Sequence, residues 1–265
     1  MTKRGAFHVR SLHGGAITAV DACSGRSFAR HAHNEFGVGL VTRGAQRSWS
    51  GRGQVEAIRG NLITVNPAEV HDGAPVEQER SWSMLYFSQQ LVGAALGDLS
   101  GGKISSRELE EPVVRHAGLA SLFATTRRAA LDGEGAVFEE RLLMLFGRLF
   151  NAAPRTAAET SHRLVRVRER IDDDPAQPHP LADLAALAGL SRFQTVRAFA
   201  RLTGFTPHAY LTQRRLDVAR RLIRAGSALA DAAAEAGFAD QSHMHRLFGA
   251  RYGFTPGAYA AAHRR

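Results

Sequence analysis

Along the first hundred residues, apolar positions come in short runs broken by glycine. EFGVGLVTRG, AQRSWSGRG, NLITVNP and SWSMLYFS each read as a strand of a few residues bounded by turn formers. Their spacing predicts a small β-barrel or sandwich. After Gly102 the period changes. Apolar residues recur at helical spacing over Pro112–Leu131 and Val137–Phe150, in the second stretch as Phe138, Leu142, Leu145, Phe146 and Leu149. Two amphipathic helices are therefore expected. NAAPRTAAETS, residues 151–161, is small and polar, contains Pro154 and predicts a linker. The helical period returns near His162. The expected organisation is a β domain over 1–152 with two flanking helices, a linker over 153–161 and an all-α domain over 162–265, a two-domain α+β fold.

The last hundred residues carry an internal repeat. GLSRFQTVRAFARLTGFTPHAYL, Gly189–Leu211, aligns with GFADQSHMHRLFGARYGFTPGAYA, Gly237–Ala260. Phe199 and Phe248, Gly204 and Gly253, Thr206 and Thr255, Pro207 and Pro256, and Tyr210 and Tyr259 correspond. Each copy has one grammar. LADLAALAGLS predicts a short helix over Leu181–Ala188, a tight turn at Gly189 and a cap at Ser191; SALADAAAEAGF repeats this with Ser227 as cap and Gly237 at the turn. A short helix, a glycine turn and a second helix rich in Arg, Gln and His is a helix-turn-helix, which lays its second helix in the DNA major groove.

The faces of the second helices follow from spacing. In the first copy Thr195, Ala198, Phe199 and Leu202 fall at core spacing, leaving Arg192, Phe193, Val196, Arg197 and Arg201 outward. In the second, Met244, Leu247 and Phe248 face inward, leaving Gln241, Ser242, His245 and Arg246 outward. Arginine reads guanine, glutamine reads adenine, and Phe or Val can touch a thymine methyl. The same arginines could instead hold phosphate, which positions the protein without specifying sequence. Double-stranded DNA is the expected partner.

Charge sharpens the picture. The net charge is +9, and it is uneven: residues 162–265 contain 16 Arg, no Lys and 9 Asp plus Glu, which places +7 in that part. A basic excess on the helical domain points to a polyanion. The remaining composition, 44% hydrophobic and 22% charged, is that of an ordinary globular chain. No apolar run approaches the roughly 20 residues of a membrane span, and MTKRGAFHVR lacks the apolar core of a signal peptide, so a cytoplasmic location without membrane contact is expected. Cys23 stands alone, which excludes an intrachain disulfide and a multi-cysteine zinc site; it is expected to be a small buried residue.

With these residues in view, the helical domain resembles the DNA-binding domain of the AraC/XylS family of bacterial transcription regulators. GFADQSHMHRLFGARYGFTPGAYA follows the family signature along nearly its whole length. The resemblance implies that the long helix through PHAYLTQRRLDVARRLIRAG, Pro207–Gly226, joins two helix-turn-helix units that enter successive major grooves. It also implies that Arg197 and Arg246 are the DNA-facing arginine of each unit. Thr195 departs from the family's usual leucine, which implies a looser first unit.

RHAHNE, Arg30–Glu35, is the candidate chemistry of the β domain. On a strand His31, His33 and Glu35 would share a face. That pattern suits a metal cage, a pocket wall or an ordinary polar face. RHAHNEFGVGLVTRG followed by GNLITVNPAEVHDG is similar to the two strand motifs of the cupin-type sensor domain found in many such regulators. Metal-binding cupins place a glutamate several residues after the second histidine, whereas Glu35 follows His33 by two. The expectation is therefore a small-molecule effector pocket using His31, His33, Glu35, Asn66, His71 and Trp82, with no cofactor. A zinc, nickel or iron site on His31, His33 and His71 is the alternative. The bland readings are a turn at Asn66–Pro67 and Glu69, and a core role for Trp82.

The reading is an effector-responsive transcriptional regulator, not an enzyme, with RNA polymerase as a further partner if it activates. The rivals are a metal-dependent cupin enzyme carrying a basic helical domain and a nonspecific architectural nucleic-acid binder. The helices at 112–131 and 137–150 either form a homodimer interface or cover the barrel's own apolar face.

Overall fold

Strand-forming residues dominate the front of the chain because β-branched and aromatic side chains alternate with polar ones there. In the computed structural model, which describes residues 5–50, 52–151 and 160–263, they build β1 (Ala6–Leu12), β2 (Ile17–Ser24), β3 (Phe28–His31), β4 (Phe36–Arg43), β5 (Ala45–Ser50), β6 (Gly53–Ile58), β7 (Leu62–Val65), β8 (His71–Pro75), β9 (Arg80–Phe87) and β10 (Val113–Val114). One antiparallel sheet has the order β1-β2-β9-β4-β7-β10 and the other β3-β8-β5-β6. The chain divides into two units, Met1–Pro154 and Arg155–Arg265. The expected linker lies mainly outside the described residues.

Three helices belong to the first unit: α1 (Gln89–Ser100), α2 (Ala117–Asp132) and α3 (Gly135–Leu149). They correct the sequence expectation twice. Helix α1 falls where only strands were expected; Ser88 caps it, accepting from Leu91 N at 3.3 Å. Helix α2 starts five residues after Pro112, because Val113 and Val114 pair with Ile63 and Leu62 instead. His116 then caps α2, its Nδ1 accepting from Leu119 N at 3.2 Å. The outer face of the large sheet is closed by these helices: Phe87 meets Phe146 edge-on at 5.0 Å and Phe36 meets Phe150 at 5.8 Å. Alternation along β9 follows. Leu85 and Phe87 go to the helix side, while Arg80, Trp82, Met84 and Tyr86 line a cavity on the other. Cys23 is free and half-buried rather than buried.

The second unit contains α4 (Thr160–Asp173), α5 (Leu181–Ala188), α6 (Arg192–Thr203), α7 (Pro207–Arg224), α8 (Leu229–Glu235), α9 (Gln241–Tyr252) and α10 (Pro256–His263). Its apolar residues form two cores. One collects Leu164, Val167, Ile171, Leu184, Ala188, Phe199 and Leu211. The other collects Leu216, Ala219, Ile223, Ala232, Ala233, Ala236, Phe238, Met244 and Phe248. Helix α7 supplies Leu211 to the first and Leu216, Ala219 and Ile223 to the second, so it is built into both. Proline at its first position and Thr206 as its cap explain where it starts.

Candidate functional sites

The helix-turn-helix turns are made by local chemistry. Gly189 closes α5 in the left-handed conformation, and Ser191 opens α6 with a reciprocal capping box: its Oγ accepts from Gln194 N at 3.3 Å while its own N–H donates to Gln194 Oε1 at 3.0 Å. In the second copy Asp240 caps α9, accepting from His243 N at 2.7 Å. The expected cap at Ser227 is displaced. Ala228 holds the N-cap position of α8 and makes no side-chain bond, because the helix begins one residue later than the capping pattern suggests.

On α9 the outward set stands clear: Gln241, Ser242, His245 and Arg246 are exposed, and Met244 and Phe248 are fully buried. On α6 the expected face is corrected. Phe193 is 2% exposed and Val196 0%, whereas Leu202, expected in the core, is 39% exposed. The buried arc is rotated by most of one residue step, roughly 100° on a 3.6-residue helix. Enclosure of α6 by α4, α5 and α7 is the physical reason. A buried phenyl ring or isopropyl group cannot reach a base edge, so Phe193 and Val196 leave the DNA-reading set. Arg201 is exposed, while Arg197 and Arg192 are half-buried; the Arg197 guanidinium lies 5.4 Å from the Phe193 ring centre. Thr195 is fully buried, and its hydroxyl donates to Ser191 O at 2.9 Å, so the polar group that replaces the family's leucine is satisfied within its own helix.

In the first unit a cavity of about 200 Å³ lies between the two sheets. His31, His71 and Trp82 line it. His33, Glu35 and Asn66 do not. Strand β3 ends at His31, so the alternation that would have aimed His33 and Glu35 beside it is lost. Asn66 is consumed structurally: its Nδ2 donates to Glu69 Oε2 (3.2 Å) and Leu109 O (3.1 Å), and its Oδ1 accepts from Leu109 N at 2.8 Å. Sequence reasoning missed the cavity residues Phe28, Gln46, Arg80 and Tyr86. A signal existed for two of them, since Arg80 and Tyr86 flank Trp82 at even spacing on one strand.

His31, His33 and His71 still gather, their ring centres 4.4 Å (31 to 71), 5.1 Å (33 to 71) and 6.4 Å (31 to 33) apart. Each Nδ1 faces a main-chain carbonyl: Ala29 O at 2.8 Å, Glu35 O at 3.1 Å and Glu69 O at 2.9 Å. A carbonyl only accepts, so each Nδ1 is the donor in these contacts. Among the described residues no group of three or more His, Cys, Asp or Glu is arranged to hold a metal ion.

Burial holds the His33 pKa below its ordinary 6.5, with the neighbouring His71 pushing the same way, and its Nε2 is buried without a partner. A folded-state pKa below the unfolded one means that the unfolded chain binds more protons between them. His33 therefore contributes stability that is present above the ordinary imidazole pKa and lost as pH falls through the folded value. The midpoint of thermal unfolding should drop between pH 7.5 and pH 5.5, and His33→Gln should flatten that drop. Parallel pH profiles for the two proteins would refute the assignment.

Comparison with known proteins finds matches to both parts of the chain. A family profile described as AraC-like ligand binding domain matches residues 14–147, and one described as Helix-turn-helix domain matches residues 184–262. An "Uncharacterized HTH-type transcriptional regulator YbfI" of Bacillus subtilis (strain 168) is 26% identical over 226 residues, 83% of this chain and 82% of that protein. The "Transcriptional activator NphR" of Rhodococcus sp is 39% identical over 115 residues, 42% of this chain and 34% of that one. Among solved structures, a probable AraC family transcriptional regulator from Rhodopseudomonas palustris CGA009 is 27% identical, covering 40% of this chain and 100% of that one, with a TM-score of 0.37. No helix among the described residues is long and apolar enough to cross a membrane.

Proposed function

The chain belongs to the AraC family of helix-turn-helix transcriptional regulators, and from that premise we propose that it is a cytoplasmic protein that reads specific DNA and is switched by a small molecule bound in its β domain. The observation that carries the reading is the open face of α9, where Gln241, Ser242, His245 and Arg246 stand exposed on a helix whose opposite side is a packed core. Side chains of these types match base edges and phosphates in a major groove. Helix α6 contributes Arg197 and Arg201, with Arg192 at its start, a more cationic and less varied face suited to holding phosphate.

The functional boundaries are 1–152 for effector binding, 153–161 for the linker and 162–265 for DNA. A ligand shifts such a switch only if it binds one arrangement of the protein better than the other. Helix α3 buries Phe138, Leu142 and Phe146 and α2 buries Leu119 and Phe123, and their solvent side would carry any pairing of two copies. Where the protein activates, RNA polymerase is the further partner.

Selection of bound sequences from random duplexes by the purified chain tests the reading. A defined motif is expected. Arg246→Ala should erase preference at one base pair, a discrimination of about 1–3 kcal/mol. A uniform loss across all sequences would instead assign Arg246 to phosphate, and no motif at all would refute specific recognition.

A further inference from the structure

The charges around the cavity do not balance. Glu69 is held by Arg52, Nη2 to Oε2 at 3.1 Å, and also accepts from Asn66. Asp72 accepts from Trp49 N at 2.6 Å and lies 3.8 Å from Arg30 Nε. Both acids of the lining thus have cationic partners. Arg80 has no acidic one among the described residues. Its side chain is 1% exposed; Nε donates to Gln46 Oε1 at 2.9 Å and Nη1 to Arg26 O at 3.1 Å, both neutral acceptors. Nη2 is turned toward Gly73, a residue of the cavity lining; a Cβ there would lie 3.3 Å from Nη2.

Burial lowers the Arg80 pKa to about 10, which still leaves the group cationic at neutral pH. Its orientation is fixed by two rings, Trp82 at 4.6 Å and Phe28 at 5.4 Å from the guanidinium carbon. A buried cation with only neutral partners is expensive to keep, and an anion in the adjoining space would offset that cost. Phe7, Val20, Ile63, Met84 and Tyr86 give the wall a large apolar and aromatic part, beside the polar His31, Ser48, Ser50, Thr64 and His71. A dry cavity of about 150 Å³ accommodates benzene, so about 200 Å³ has room for one ring bearing a small charged group.

We infer that the effector is a small monocarboxylate with a compact apolar body, its carboxylate paired with Arg80 and its body packed between Phe28, Trp82 and Met84. The inference rests on the reading of this cavity as the effector site and names the ligand class for it. With Nε and Nη1 already donating to neutral acceptors, Nη2 is the donor that would meet the carboxylate, in a charge-assisted bond stronger than one to a neutral acceptor.

Titration calorimetry of the full chain with three matched probes decides the point: benzoate, benzamide and benzylamine. Benzoate is expected to bind at least tenfold more tightly than either of the others. Arg80→Met should lose at least tenfold in benzoate affinity, with its unliganded melting curve recorded to establish folding. If that variant does not fold, the ranking of the three probes on the unaltered chain carries the test, supported by Gly73→Ala, which crowds Nη2 and should weaken benzoate alone. Equal binding of benzamide, with hydrogen-exchange protection in β2, β8 and β9, would overturn the anion inference and leave the pocket standing. Benzoate protection confined to the helical unit would overturn the pocket reading as well. Binding by none of the three would refute the ligand class.

Discussion

Phe248→Ala is expected to destabilise the second helix-turn-helix by about 3–5 kcal/mol, the usual cost of deleting a buried ring. Phe248 is 0% exposed, and its ring lies 4.7 Å from Tyr252, 5.8 Å from Phe254 and 5.9 Å from Tyr259, centre to centre. It joins α9 to α7 and α10 through one core. Neighbouring side chains relax only partly into the space such a deletion leaves, so cavity cost adds to lost transfer energy. A domain has only about 5–15 kcal/mol to lose. Urea unfolding followed by helical circular dichroism should show an early transition in the variant, and DNA binding should fail with it although no DNA-facing side chain has changed. A loss below about 1 kcal/mol would show that the second core does not hold α9 in place.

Gly237→Ala is the second large effect, and it separates the two turns. Gly237 has φ +82°, a conformation that costs a residue with a Cβ about 1–2 kcal/mol. Worse, the added Cβ would lie 2.8 Å from both Cα and the carbonyl carbon of Ala176, and closer still to its oxygen. The Ala176 stretch cannot simply retreat. Arg215 clamps it, with Nε donating to Pro175 O at 2.8 Å and Nη2 donating to Ala176 O at 3.2 Å and Gln177 O at 3.0 Å. Overpacking of this kind adds about 1–3 kcal/mol. Gly189 is the matching glycine of the first turn, with φ +62°, but its Cβ would meet only the guanidinium end of exposed Arg163. Gly189→Ala should therefore cost the backbone term alone. Equal destabilisation by the two substitutions would remove the Ala176 contact as the cause.

The repeat was legible because a helix-turn-helix is specified locally. Glycine at a left-handed turn, a capping residue and apolar positions three and four apart act over a few residues, so Leu181–Ala188 could be read directly, whereas the long helix from Pro207 came from the family resemblance. The face of α6 could not. Thr195, Ala198, Phe199 and Leu202 form one acceptable stripe, while Phe193, Val196 and Phe199 form another, and enclosure by α4 selected the second. The same limit applied at β10, where Val113 and Val114 are compatible with a helix until β7 offers them a hydrogen-bonded edge.

The candidate pocket divides along the same line. His31, His71 and Trp82 were visible as chemistry-bearing residues, but Asn66 was visible for the wrong reason, since its polar atoms fasten Leu109, 43 positions away. Arg80 offered one signal, its even spacing from Trp82 on one strand, which showed the shared face and not the surroundings. An arginine in a strand reads as a solvent-facing charge, and nothing nearby along the chain says that Gln46, Arg26, Phe28 and Trp82 surround it.

The sequence by itself determined the family, the duplicated DNA-reading unit, the basic bias of the helical domain and the β character of the other, because each depends on short-range pattern or summed charge. Only the tertiary structure decided which face of α6 is open, which histidines reach the cavity and that a guanidinium with no acidic partner among the described residues sits in its wall. Those are properties of burial, and burial is set by residues far apart in the chain that fold against each other.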